Sequence, residues 1–137
     1  MYARQLDIST AFVNALIKRR VVVSLPPHWE RPGRRVALLL RALYGLKTSP
    51  RDWYDAFKDA LVNQLKYNIC DSEPTLFQKS VKRKQVLVCI YVGDVICFCK
   101  DEKLAEQARE EILNVFKGTR EDPWLIENDG TENRKIL

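Results

Sequence analysis

QVLVCIYVGDVICFCK, residues Gln85 to Lys100, sets two apolar runs rich in β-branched residues around Gly93-Asp94. That pattern predicts a β-hairpin. A two-residue Gly-Asp connection suits a turn whose first position needs φ > 0. The tip would then carry a carboxylate beside a glycine. What such an acid is for depends on what the rest of the chain brings near it.

Outward from the hairpin, the pattern alternates strands with two amphipathic helices. Tyr2 to Ile8 reads as a short strand with Asp7 at its end. Ala11, Phe12, Ala15 and Leu16 follow at helical spacing. Val21-Val22-Val23 is a further strand candidate, stopped by Pro26-Pro27. Pro32-Gly33 marks a turn, and periodicity does not decide between strand and helix for Val36 to Leu40. A helix is predicted from Ser49, with Ser49 as N-cap, Pro50 at the first position and Asp52 as capping acid. Trp53, Phe57, Leu61 and Leu65 line one face of it, and it should end near Tyr67-Asn68. Thr75 to Lys79 reads as a strand. Lys103 to Phe116 is the second helix, with Leu104, Ala108, Ile112 and Phe116 every four residues and Gly118 as its stop. Trp124 to Glu127, the turn Asn128-Asp129-Gly130 and Arg134 to Leu137 suggest one more hairpin. The expected class is α+β: a mostly antiparallel sheet packed on two main helices.

The 137 residues are 46% apolar, enough for the core of one domain, and no apolar run approaches a membrane span. With no N-terminal signal pattern, an intracellular protein with no membrane partner is expected, nucleus and cytoplasm being indistinguishable. Cys89, Cys97 and Cys99 fall in the hairpin strands, and with Cys70 they lack metal-ligand spacing; they read as small hydrophobes. His28 has no Ser or Cys partner in a catalytic arrangement. The net charge of +5 is uneven. Residues 1–60 carry eleven Lys/Arg against five Asp/Glu, and residues 61–137 twelve against thirteen. A one-sided positive field suits a polyanion. An RRM-like reader is disfavoured, because no K/R-G-F/Y-type strand motif occurs.

Taken singly, Asp7 is an ordinary strand-end acid, Asp94 a turn residue and Phe12 a core residue. Taken together, two carboxylates on neighbouring strands could converge on a hard cation such as Mg²⁺. Three segments then make the sequence similar to the reverse transcriptases of Ty1/copia-type retrotransposons. Asp7-Ile8-Ser9-Thr10-Ala11-Phe12 resembles D-[VI]-x-x-A-F. Ala42 to Tyr54 resembles A-L-Y-G-L-K-Q-S-P-R-x-W-Y. Asp71 to Phe77, leading to Tyr91-Val92-Gly93-Asp94, resembles D-P-x-L-F followed by Y-V-D-D.

The resemblance implies a polymerase palm-like fold and RNA-directed DNA synthesis with two Mg²⁺ ions. Its partners would be an RNA template, a DNA primer, deoxynucleoside triphosphates and other segments of a retrotransposon polyprotein. Asp7 would ligate both ions with help from the main-chain carbonyl of Ile8, and Asp94 would be the second acid of the hairpin pair. Phe12 would stand where a ribose 2′-OH would fit. Tyr44, Gly45 and Lys47 would flank nucleotide and template, and Tyr91 and Val92 would lie near the primer end. Gly93 stands where the family has a metal-binding Asp, so the resemblance also implies an inactive or severely impaired enzyme. Residues 1–137 would be a single but incomplete palm-type domain, with fingers upstream missing and the end cut near 134–137. Two alternatives remain open at this point: a non-catalytic nucleic-acid-binding domain, and a transposon-derived scaffold.

Overall fold

Alternation of apolar and polar residues along short β-branched segments dictates strands with one buried face, and that is what forms. A computed structural model describes residues 1–121. The expected hairpin over 124–137 lies outside the described residues. The chain divides into two compact units, Thr10–Lys58 and a second made of Met1–Ser9 with the chain from Asp59 onward.

The second unit is built on a six-stranded antiparallel sheet. Its strands are β1 (Tyr2–Ile8), β4 (Asn68–Cys70), β5 (Glu73–Val81), β6 (Lys84–Tyr91), β7 (Asp94–Cys99) and β8 (Gly118–Glu121). Their order across the sheet is β4-β5-β6-β7-β1-β8. Helix α2 (Glu102–Val115) packs on β1, β7 and β6. The core between them is Leu6, Ile8, Val86, Val88, Ile90, Val95, Cys97 and Cys99 from the sheet, with Leu104, Ala105, Ala108 and Ile112 from the helix. The period-four stripe read from the sequence is therefore the buried one. Asp101 caps α2, its side chain accepting from the Leu104 amide at 3.2 Å. Lys84 also pairs with Asp101, at 2.6 Å, and this hydrogen bond is the main reason its carboxyl sits below the usual range.

Arg109 is the one charged side chain nearly buried in this core. Its guanidinium donates to the main-chain carbonyls of Gln5 (3.4 Å) and Glu121 (3.2 Å), and to both carboxylate oxygens of Glu106 (2.6 and 2.8 Å). Five fixed donors let one arginine satisfy carbonyls from two strands and a carboxylate from its own helix. Arg4 reaches up from β1 to Glu102 and Glu106, and Arg120 reaches from β8 to Glu110. These contacts fix which face of the sheet α2 covers: the face of Arg4, Leu6 and Arg120.

Cys97 and Cys99 are fully buried free thiols, as their strand positions suggested. Burial pushes the Cys97 thiol up to about 12, so it is an inert hydrophobe at neutral pH. Cys70 is partly exposed, and a hydrogen bond with Ser72 holds its thiol below the ordinary value. Maleimide labelling followed by mass spectrometry should mark Cys70 first, and Cys97 and Cys99 only after unfolding. Equal native-state labelling of Cys70 and Cys97 would contradict the packing.

The first unit contains a short 3₁₀ turn (Ala11–Asn14), strands β2 (Leu16–Ser24) and β3 (Val36–Arg41), and helix α1 (Ser49–Asp59), which a π-helical turn (Ala60–Gln64) follows. β2 and β3 pair antiparallel, resolving Val36–Leu40 as a strand. Trp53 and Phe57 are buried, ring centroids 5.6 Å apart.

Four local expectations need correction. The helical spacing after Asp7 yields only the 3₁₀ turn, and Leu16 belongs to β2, because the β-branched run to Val23 extends the strand backward. Ser49 does not cap α1. It is the first helical residue, buried, and its hydroxyl donates to the Leu43 carbonyl. The helical path also stops at Gln64, where Lys66 turns left-handed (φ +62°) and frees Asn68 to begin β4. Finally, Gly118 does not stop α2. The helix ends at Val115, with Phe116 already extended, and Gly118 opens β8.

Candidate active site

Register decides what the two acids can do. β1 runs antiparallel to β7 with Asp7 directly opposite Asp94, and Leu6 opposite Val95. The Ile8 amide donates to the Gly93 carbonyl at 2.8 Å. Hydrogen-bonded and non-hydrogen-bonded pairs alternate along such a ladder, so Asp7 and Asp94 form a non-hydrogen-bonded pair, the closer kind. Opposed residues share a face, with Cβ atoms about 4.5–5.5 Å apart. Leu6 and Val95 point into the core under α2, so the two aspartates point to the other face of the sheet. Asp94 is exposed and Asp7 half-buried. Among the described residues neither carboxylate is salt-bridged to Lys or Arg. Two adjacent, unneutralised negative charges on one face favour a cation between them.

The turn differs from the expectation by one residue. Tyr91 pairs with Asp94, so the connecting pair is Val92-Gly93, and Asp94 is the first residue of β7 rather than the tip. The left-handed position falls on Val92 (φ +54°), an uncommon place for a β-branched side chain. The physical reason is the apolar register. This pairing sets Val86 opposite Cys99, whereas a Gly93-Asp94 turn would set it opposite Asp101, the cap of α2. The correction strengthens the site, because it places Asp94 in a strand, held by ladder bonds.

Around these acids, the Ile8 side chain is buried and Gly93 is half-buried. Tyr91 and Val92 are exposed at the end of the hairpin, with Tyr91 78% accessible. In the other unit, Phe12 is buried with its ring centroid 4.4 Å from that of Tyr44, whose ring is largely exposed. Leu43 to Leu46 forms a turn closed by the Leu46 amide on the Leu43 carbonyl (3.4 Å), with Gly45 at φ +94°. A non-glycine residue is strained there, so Gly45 is required by the turn itself. Lys47 is exposed just after it.

The structure therefore brings Asp7, Asp94 and Gly93 together, and separately brings Phe12 to Tyr44. Sequence patterning did not single out β8, yet β8 flanks Asp7 on the side away from Asp94: Thr119 is directly opposite Asp7, and Gly118 opposite Ile8. Among the described residues no cluster of three or more His, Cys, Asp or Glu is placed to hold a metal, and no helix is long and apolar enough to cross a membrane.

The family described as "Reverse transcriptase (RNA-dependent DNA polymerase)" matches residues 1–120 of the chain. The chain belongs to this family. Within it, the chain is similar to Gag-Pol polyproteins of Saccharomyces cerevisiae. It is 39% identical over 117 residues to that of transposon Ty1-NL2, covering 85% of this chain and 6% of the relative. It is 34% identical over 134 residues to that of Ty1-DR1, covering 91% of this chain and 7% of the relative. This reverse transcriptase sequence thus spans under a tenth of the length of those Ty1 relatives. The Ty1/copia resemblance read from its three motifs is borne out at the level of family.

Proposed function

We propose that this chain is the palm-type part of a Ty1/copia-type RNA-directed DNA polymerase whose cation site has lost one acid, and that it binds template and primer without extending them. The observation that carries the reading is the register of Asp7 opposite Asp94, with Gly93 standing at the preceding position where the Y-V-D-D motif has an acid.

The donor set fits one divalent ion. Two carboxylates balance one dication, and Mg²⁺ keeps several waters and takes its remaining oxygens from substrate phosphates. The set does not fit two ions, which need more negative charge than Asp7 and Asp94 supply. Asp7, Asp94 and the Ile8 carbonyl would hold the ion, which when bound would supply Lewis-acid polarisation of phosphate oxygens.

By descent the reaction is transfer of a deoxynucleotidyl group. The primer 3′-hydroxyl attacks the α-phosphate of a deoxynucleoside triphosphate, a P–O bond forms, and pyrophosphate leaves. The roles of Phe12 as a gate against a 2′-hydroxyl, of Tyr44, Gly45 and Lys47 beside nucleotide and template, and of Tyr91 and Val92 near the primer end are carried by the resemblance. The exposed Lys47 and the Phe12–Tyr44 ring pair support them. Polyanion binding is favoured by the charge of the Thr10–Lys58 unit, which holds ten Lys/Arg against three Asp/Glu. The scaffold alternative has no observation of its own to favour it.

Primer extension on an RNA template with Mg²⁺ tests the proposal. The chain should retain a hybrid in filter binding, with affinity falling steeply with salt, while showing no extension above background. Robust extension would overturn the loss of activity, and binding indifferent to salt would overturn the polyanion role.

A further inference from the structure

Register across the sheet places four side chains in one row: Tyr91 on β6, Asp94 on β7, Asp7 on β1 and Thr119 on β8. Each is directly opposite the next, so all four share the face away from α2. We propose that Thr119 is a further oxygen donor of the cation site, on the side of Asp7 away from the hairpin. The inference rests on the reading of Asp7 and Asp94 as cation ligands and adds to it.

Three observations support the assignment. First, a threonine hydroxyl is a hard oxygen, the donor type that Mg²⁺ and Mn²⁺ accept. Second, β8 is firmly fixed. Its Arg120 is paired with Glu110, the Glu121 carbonyl takes a bond from Arg109, and the Glu121 carboxylate takes one from Gln5 at 2.7 Å. The Ser9 amide donates to the Lys117 carbonyl at 3.0 Å, continuing the β1–β8 ladder just beyond the row. Third, Gly118 lets β8 press onto β1. A Cβ at that position would collide with the Asp7 main-chain oxygen and lie 3.1 Å from Leu113 Cδ2. Arg120, the neighbour of Thr119, points to the opposite face toward α2, so the alternation of the strand aims Thr119 at the aspartates' side.

Mn²⁺ alone is a suitable probe, with free ion counted by electron paramagnetic resonance against the full chain. Thr119→Val keeps shape and removes the oxygen; it should weaken Mn²⁺ binding about fivefold with the melting temperature unchanged, while Thr119→Ser restores it. Thr119→Asp sets a third carboxylate in the row and should tighten binding about tenfold. If Thr119→Val binds like the parent while Asp7→Asn loses the ion, Thr119 is no ligand and the two-aspartate reading stands. If Asp7→Asn binds Mn²⁺ as well as the parent, the cation site itself fails and Thr119 fails with it.

Discussion

Gly93→Asp is expected to raise Mg²⁺-dependent primer extension by about three orders of magnitude or more. The measurement is made with this chain grafted in place of the matching stretch of a Ty1 polyprotein, with and without the substitution. A carboxylate beside Asp7 and Asp94 would supply the negative charge that a second dication needs, and each 1.36 kcal/mol recovered in the transition state is a factor of about ten. The fold should accept the change. The left-handed turn residue is Val92, and Gly93 is not among the described residues with positive φ, so an aspartate there meets no backbone penalty. The Gly93 carbonyl, which receives the Ile8 amide, is unaffected by a new side chain. Comparable rates from the two grafts would show that Gly93 is not what limits synthesis.

Gly118→Ala should be the most damaging small change in the sheet, costing about 3 kcal/mol and lowering the thermal midpoint by roughly 10 °C. The added methyl would fall on the Asp7 carbonyl oxygen, which is backbone inside a ladder and cannot swing aside as a side chain could. Either β8 lifts from β1 or β1 is pushed from β7, and the second outcome also disturbs the opposition of Asp7 to Asp94. Circular dichroism melts decide it, with Thr119→Ala as the neighbouring control. A midpoint within a degree or two of the parent would show that the β1–β8 approach is looser than described.

The strands and helices were largely legible because one physical signal, apolar periodicity, specifies them. Trp53, Phe57 and Leu61 on α1, and Leu104, Ala108 and Ile112 on α2, are buried as their spacing demanded. So was the opposition of Asp7 and Asp94, since two acids at the adjoining ends of neighbouring strands meet if the strands pair. What was not legible depends on partners far away in sequence. The turn between β5 and β6 is Lys82-Arg83, both left-handed (φ +49° and +64°), where composition has no Gly or Asn to announce it. The hairpin tip shifted to Val92-Gly93 because Val86 must meet Cys99. Gly118 looked like a helix stop because Gly commonly is one; only the approach of β1 reveals that its missing side chain serves the sheet. β8 itself, Gly-Thr-Arg-Glu, has no apolar residue to reveal it and is held by ionic and main-chain contacts.

Arg109 makes the sheet edge and the helix above it a single thermodynamic partner for the carboxylate pair. Its guanidinium is bound at once to the strand that ends in Asp7, to the strand flanking it, and to the helix that carries it. Detaching that helix would strand a cation in an apolar layer and leave two carbonyls without donors, so local fraying of this corner is steeply disfavoured. The acids are held in register from behind, by a residue that never reaches their side of the sheet.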